Sequence, residues 1–147
     1  MNKRFETFTV LINRINRNIR KIKNQEMAEY NLRSPHISCL YYIYKSSTIT
    51  AADLCEKCEE DKATVSRSLD FLENKGYLTR ESKFLKRYKS PLVLTEKGKE
   101  IAKKVDEKVS RVLELISTEL SEEERLEFYR SLSLISTGLD KIANGAV

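Results

Sequence analysis

Two cysteines have the spacing of a redox or metal-binding motif, because Cys55-Glu56-Lys57-Cys58 is a C-x-x-C sequence. No second pair follows to complete a zinc site, and the two thiols would lie one turn apart on a predicted short helix. Redox-active pairs sit instead at a helix N-terminus, where the thiolate is stabilised. We therefore interpret both cysteines as structural and keep redox or metal sensing through them as an alternative.

His36 and Cys39 are a second candidate pair, because residues three apart share one face of a helix. With a carboxylate such as Glu26 or Glu29 they could make half a metal site. The chain has one histidine, and an isolated histidine more often has a structural role. We predict no metal and no cofactor, with sensing through His36 or Cys39 as an alternative.

The sequence gives little support for catalysis. Spacing places no serine or cysteine beside the one histidine to form a catalytic pair, and no glycine-rich loop is present to hold a phosphate. We predict that the protein is not an enzyme. Tyr41, Tyr42 and Tyr44 could line an aromatic ligand pocket, although ordinary core packing is the interpretation we favour.

Basic residues are concentrated in two segments of this 147-residue chain, whose net charge is +5. Residues 62–89 contain eight basic and three acidic residues, a surplus of +5. Residues 2–23 contain seven basic residues and one acidic residue, so the rest of the chain carries a net charge of −6. Such segregation offers basic surfaces to a polyanion, although a basic helix can also be merely a solvated one.

The segment 61–75 is predicted to be a helix with two different faces. Val65, Leu69 and Leu72 recur at helical spacing and form an apolar stripe for a core, and Gly76 ends the helix. Polar and basic residues occupy the other side of its first turns. A helix of this kind serves a core and a ligand at the same time.

A shorter helix precedes this one, beginning at Thr50 and ending near Cys58. Two such helices joined by a tight turn have the helix-turn-helix plan, in which the second helix enters the DNA major groove. Arg67 could contact guanine, whereas Lys62 suits a phosphate. The residues predicted to contact DNA in this region are Thr50, Lys62, Ala63, Thr64, Ser66, Arg67 and Ser68.

Two predicted strands, at 77–81 and 91–94, flank a basic loop and form a hairpin with a charged tip. This hairpin would be a wing that follows the phosphates or enters the minor groove. The predicted contacts within it are Lys83, Lys86, Arg87 and Lys89. Arg87 is the best minor-groove candidate, because narrow A·T-rich grooves attract arginine. The alternative is a flexible hairpin kept soluble by its charge.

Apolar residues at steps of three and four predict further helices over 5–22, after Ser34, and in both halves of 96–147. Ser34 is predicted to cap its helix with Pro35 at the first helical position. The resulting fold is mainly α with a small β-hairpin wing (α+β), a winged helix-turn-helix flanked by N- and C-terminal dimerisation helices.

The predicted domains are an N-terminal dimerisation helix at 1–30, a DNA-binding domain at 31–95 and C-terminal dimerisation helices at 96–147. The first and last helices carry apolar stripes that so small a core cannot cover. A second copy of the chain is the simplest partner for them, so we predict a homodimer.

Four motifs resemble those of the MarR family of bacterial transcription regulators. They are TAADL at 50–54, DKATVSR at 61–67, LENKGYLTR at 72–80 and LTEKG at 94–98. With the flanking helices, the resemblance covers nearly the whole chain. It implies an obligate homodimer that interlocks through its first, fifth and sixth helices and binds a pseudo-palindromic operator. It also implies repression that a small ligand relieves.

The wing departs from the family pattern. Family wings usually carry an aspartate followed by an arginine at the tip, whereas Lys86, Arg87 and Tyr88 stand in that region here. Arg87 corresponds best to the wing arginine. Some relatives sense zinc, and redox-sensing relatives use a cysteine near the start of the first helix, a region that has no cysteine in this chain.

These features predict a dimeric, sequence-specific DNA-binding transcription regulator, a repressor released by a small-molecule effector. Its partners would be double-stranded DNA and a second copy of the chain. A winged-helix module that binds another protein is the alternative, and Lys62 and Arg67 argue against it. No apolar run reaches the roughly 18–20 residues of a membrane span, so we predict a cytoplasmic protein without membrane contact.

Overall fold

The computed structural model describes residues 3–58, 60–80 and 89–145, which divide into two compact units, 1–108 and 109–147. The elements agree with the predicted order of four helices, a hairpin and two helices. They are α1 (Lys3–Glu26), a 3₁₀ turn (Ala28–Tyr30), α2 (Ser34–Lys45), α3 (Ala51–Cys58), α4 (Lys62–Asn74), β1 (Leu78–Arg80), β2 (Leu92–Leu94), α5 (Glu96–Ser117) and α6 (Glu122–Ala143).

The core of the first unit lies among α2, α3, α4, the hairpin and the first turns of α5. Leu40, Leu54, Leu69 and Leu72 have no exposed surface, so the apolar stripe of α4 faces inward as its spacing predicts. The other apolar residues buried there include Leu32, Ile37, Ile43, Ile49, Val65, Tyr77, Leu78, Leu92, Leu94, Ile101 and Val105.

Reciprocal capping bonds start two of the helices. The Asp53 carboxylate accepts the Thr50 backbone N–H at 2.9 Å, and the Thr50 hydroxyl accepts the Asp53 N–H at 3.3 Å. Ser121 and Glu124 form the same reciprocal pair at the start of α6. These bonds satisfy backbone donors that the helices themselves leave without partners.

The start of α2 corrects one prediction. The N-cap is Arg33, and Ser34 is already the first helical residue, with its N–H donating to the Asn24 side-chain oxygen at 2.8 Å. The Nδ1 atom of His36 accepts the backbone N–H of Arg33 at 3.0 Å, and the His36 ring stacks on Phe71 of α4 with centroids 4.1 Å apart. His36 thus has a structural role at a helix start.

The C-terminus of α4 has the geometry of a Schellman motif. Gly76 adopts φ +76°, the Gly76 N–H donates to Glu73 at 3.0 Å, and the Tyr77 N–H donates to Leu72 at 2.9 Å. The chain then enters β1, which pairs antiparallel with β2, Thr79 opposite Val93. A backbone bond from Leu92 to Ile49 ties the hairpin to the loop before α3.

The helix α5 starts against the turn that ends α4. The Thr95 hydroxyl donates to the Gly76 carbonyl at 2.6 Å and accepts the Gly98 N–H at 3.0 Å. Gly98 leaves room for the Tyr77 carbonyl, which a side chain at that position would strike. The Lys108 ammonium donates to the Glu26 carbonyl at 2.7 Å, so α5 is also tied to the end of α1.

Most of the exposed apolar residues in the described ranges lie on α1 and α6, and Leu113, Leu115 and Ile116 of α5 are also exposed. On α1, Val10, Leu11, Ile15, Ile19 and Ile22 are exposed. Within the second unit, α6 buries none of its residues, and its exposed apolar side chains are Leu126, Phe128, Tyr129, Leu134, Ile135, Leu139 and Ile142. None of the helices in the described ranges combines the length and apolar character that crossing a membrane requires.

Gly98→Ala is expected to destabilise the fold, because the new Cβ would collide with the carbonyl of Tyr77, a backbone atom that cannot rotate away. Overpacking of this kind costs about 1–3 kcal/mol. Urea unfolding should show a lower midpoint with an unchanged slope. Lys103→Ala, at an exposed position of the same helix, is the control and should shift the free energy of unfolding by less than about 0.5 kcal/mol. A wild-type midpoint for Gly98→Ala would contradict the close approach.

The fold should also lose stability in mild acid through His36. Burial, followed by the charge of Arg33, lowers the pKa of His36, and a protonated Nδ1 could no longer accept the Arg33 N–H. The contribution is therefore complete above the ordinary histidine pKa of about 6.5 and disappears as the pH falls through the lowered folded-state pKa. Urea titrations of wild type and His36→Gln from pH 8 to 5 check this. Because the chain has one histidine, the difference between the two should shrink in acid; a constant difference would refute the assignment.

Candidate nucleic-acid interface

The candidate interface is one side of α4. Four residues of its first two turns, Lys62, Ala63, Ser66 and Arg67, are exposed, and Thr64 is half-buried at their edge. We call these five residues the exposed face of α4. The apolar stripe on the other side of the helix is buried, so this face is held outward by the core.

Hydrogen bonds connect the start of α4 to its exposed face. The Asp61 carboxylate accepts the Thr64 backbone N–H at 2.7 Å with one oxygen and the Thr64 hydroxyl at 3.0 Å with the other. The Thr64 hydroxyl in turn accepts a hydrogen bond from the Arg67 guanidinium at 3.2 Å. The bonds from Thr64, backbone first, hold the pKa of Asp61 below its ordinary value, so this carboxylate is charged at neutral pH.

The side chains of two predicted DNA contacts, Ser68 and Thr50, make hydrogen bonds within the protein. Ser68 is buried, and its hydroxyl donates to the Thr64 carbonyl at 2.8 Å, so we remove it from the predicted set. Its position, three residues after Val65 and four before Leu72, puts it on the core side of the helix. Thr50 is half-buried, and its hydroxyl also donates to Asp53 at 2.9 Å as part of the α3 cap.

Arg80 on β1 is a residue whose role the sequence did not show. Its side chain is only 9% exposed, and it bridges α4 through Glu73 at 3.2 Å and Asp70 at 3.5 Å. The spacing of Asp70 and Glu73 puts both carboxylates on one helix face, which is the available signal. The contact fixes the second half of α4 against the hairpin.

A cleft of about 550 Å³ lies between α3 and α4, beside the exposed face. Its walls combine apolar side chains and the Cys55 thiol with two cations and two carboxylates, which are Lys62, Arg80, Glu56 and Asp70. Lys62 and Ser66 belong to both the cleft and the exposed face of α4. A molecule in this cleft would therefore touch the helix that carries the candidate interface.

Of the predicted wing contacts, Lys89 is exposed at the end of the hairpin. Lys83, Lys86 and Arg87 lie outside the described residues. Tyr41 and Tyr42 are half-buried and pack edge to face at 5.4 Å, whereas Tyr44 is exposed.

The cysteines are arranged differently from the C-x-x-C interpretation. Cys58 lies near the buried Cys39 of α2, so the two thiols interact. This interaction raises the pKa of Cys39 and lowers the pKa of Cys58, and the charge of Lys23 also lowers the pKa of Cys58. Among the described residues, no three His, Cys, Asp or Glu side chains are grouped to hold a metal ion.

Comparison with known proteins agrees with this geometry. The MarR family model matches residues 30–83, which contain α2, α3, α4 and the first strand of the hairpin. An uncharacterised HTH-type transcriptional regulator of Bacillus subtilis, YfiV, is 29% identical over 119 residues, covering 78% of this chain and 72% of the relative.

Solved structures share the fold over nearly the whole length. The MarR family regulator NMB1585 of Neisseria meningitidis matches with a TM-score of 0.83 at 20% identity and full coverage of both chains. Staphylococcus aureus MepR, solved as a DNA complex, matches with a TM-score of 0.80 at 19% identity, covering 90% of this chain and 97% of that one. S. aureus MarR, in complex with salicylate and kanamycin, gives 0.81 at 20% identity and 95% coverage of each. Residues 30–83 therefore match the MarR family model, and nearly the whole chain shares its fold with a solved MarR family regulator.

Proposed function

We propose that the protein binds a pseudo-palindromic operator as a homodimer and represses transcription from it. The observation that carries this proposal is the exposed face of α4, polar and basic on a helix whose other face is fixed in the core. Arg67 would contact a guanine edge, Thr64 and Ser66 would contact bases or phosphates, and Lys62 would hold a phosphate. Ala63 permits close approach to the groove wall.

The hairpin would add contacts that do not depend on sequence. The proposed contacts of the hairpin are Lys89, which the structure describes, and Lys83, Lys86 and Arg87, which are proposed from the sequence alone. Cations at these positions would neutralise phosphates and release counterions, which makes binding dependent on salt. The DNA complex of S. aureus MepR, a protein of the same fold, supports this use of the fold.

The exposed apolar residues of α1 and α6 support the homodimer. Among the described side chains, seven of these on α6 and five on α1 are exposed in the single chain, and burying them would contribute roughly 25 cal/mol per Å². We assign residues 1–30 and 96–147 to dimerisation and 31–95 to DNA binding. Two copies would present two α4 helices to successive half-sites of one operator.

We assign release from DNA to a small molecule, and the cleft between α3 and α4 is its candidate site. A small molecule with an apolar body and a polar group suits the cleft, because its walls are largely apolar and carry both cations and carboxylates. The salicylate complex of S. aureus MarR supports effectors of this general kind.

The contact between Cys39 and Cys58 supports thiol oxidation as a second candidate signal. A peroxide could accept two electrons and two protons from the two thiols, which would become a disulfide between α2 and α3 while the peroxide becomes two hydroxyl products. Retention of genomic DNA fragments with and without peroxide tests this candidate. Unchanged retention, or equal release from a Cys58→Ser variant, would exclude it.

Arg67→Ala should weaken operator binding by about 1–3 kcal/mol and relax base preference, because a bidentate base contact would be lost. Lys62→Ala should instead weaken binding to all duplexes and lower the salt slope by about 0.9. Fluorescence anisotropy on a selected operator and a scrambled duplex, at several salt concentrations, measures both effects. Lys103→Ala removes one positive charge from α5 and serves as the control. Undiminished operator preference in Arg67→Ala would overturn the assignment of Arg67.

Light scattering at micromolar concentration should give about twice the 17.1 kDa chain mass. Leu139→Glu, at a 53% exposed position of α6, should shift the protein towards monomer, because a charge would then be buried between the copies. Thr137→Glu, at an exposed polar position of the same helix, should leave the mass unchanged. A wild-type monomer, or a stable dimer of Leu139→Glu, would count against an interface on α6.

A further inference from the structure

We infer that Asp61 is a positioning residue for DNA recognition, acting on Arg67 through the hydroxyl of Thr64. This inference rests on the proposed function, because it concerns how the exposed face of α4 is prepared to read bases. It goes beyond helix capping, for which one carboxylate oxygen and the Thr64 backbone N–H would be enough.

The direction of the hydrogen bonds follows from the chemistry of the groups. A charged carboxylate can only accept, so the proton shared between Asp61 and the Thr64 hydroxyl must be the hydroxyl's own. A hydroxyl carries one proton, and its lone pairs are then available on the other side. The Arg67 guanidinium can only donate, and it meets this oxygen at 3.2 Å. Asp61 therefore makes Thr64 an acceptor towards Arg67.

As a consequence, the Arg67 side chain has a preferred conformation before DNA binds. Arg67 lies one turn beyond Thr64, and its bond to Thr64 draws the guanidinium back towards the N-terminal end of α4. That end is the part of a recognition helix that contacts base edges. Arginine loses more conformational freedom than most side chains when it is fixed. A partial ordering before binding lowers that cost and favours duplexes with guanine at the matching position.

The charge of Asp61 also affects DNA binding directly, and this effect can be distinguished from the positioning of Arg67. A carboxylate at the start of the recognition helix repels phosphates, so removing its charge should strengthen binding to any duplex. A positioning role predicts that the same change lowers the preference for the specific duplex over other duplexes. The ratio of specific to non-specific affinity therefore distinguishes the two.

Asp61→Asn is the most informative substitution, because asparagine caps helices as well as aspartate does. Its carbonyl oxygen can keep the backbone N–H of Thr64, but the amide group then faces the hydroxyl as a donor. The hydroxyl becomes an acceptor from residue 61 and loses the orientation that served Arg67. Helix content and the unfolding midpoint should stay at wild-type values, which shows that the cap is intact.

The probes are the duplex that wild-type protein selects from a random-sequence library and a scrambled duplex of the same composition. For Asp61→Asn we expect unchanged or tighter binding to the scrambled duplex. The affinity ratio between the two probes should fall about two- to tenfold, the size of one side-chain hydrogen bond at an exposed site. An unchanged ratio with a stable fold would overturn the inference and leave Asp61 as a cap alone.

A double-mutant cycle with Thr64→Val shows whether the effect passes through the hydroxyl. Valine keeps the shape of threonine and the backbone cap, so Asp61→Asn should cause no further loss of ratio in that background. An equal loss in both backgrounds would overturn the inference. Arg67→Ala separates it from the proposed function: if that variant keeps the wild-type ratio, or if wild type selects no duplex, the proposed function fails. If Arg67→Ala lowers the ratio and Asp61→Asn does not, only the positioning role fails.

Discussion

The burial of one face of α4 holds this helix in place and sets the positions of the elements packed around it. Val65, Leu69 and Leu72 are no more than 2% exposed, and burying each such side chain contributes about 1.5–3 kcal/mol. A turn of the helix by one residue position, about 100°, would move these side chains out of the core and bring Thr64 or Ser66 in. The same packing that stabilises the domain therefore determines which residues face outward.

Burial of one face fixes the rotation of α4, and the contacts at its two ends fix its position along its axis. Asp61 fixes the first turn, and the left-handed Gly76 turns the chain back so that Tyr77 can bond to Leu72. The Thr95 hydroxyl donates to the Gly76 carbonyl and also caps α5, so this turn is connected to α5 as well. A single tight turn thus couples α4, the hairpin and the long helix that follows.

The sequence predicted features that depend on interactions between residues close together in the chain. The helix starts at Thr50 and Asp61, the stripe of α4 and the turn at Gly76 all depend on residues a few positions apart. Contacts between distant segments could not be predicted in this way. Arg80 reaches Glu73 and Asp70 only because the chain reverses at Gly76, and Cys58 meets Cys39 through the packing of α3 on α2. Ser68 is different, since its helical angle alone would have placed it in the core.

The overlap between the cleft and the exposed face of α4 has a thermodynamic consequence for the proposed regulation. Lys62 and Ser66 belong to both, so a ligand that engages them and a duplex that engages them compete for the same side chains. Linkage is reciprocal: whatever factor the ligand removes from DNA affinity, bound DNA removes from ligand affinity. In a dimer the effect is amplified, because losing one recognition helix also removes the gain from binding two linked half-sites. Release from an operator would then require no large change of fold, only occupancy of a cleft that shares two residues with the DNA-binding surface.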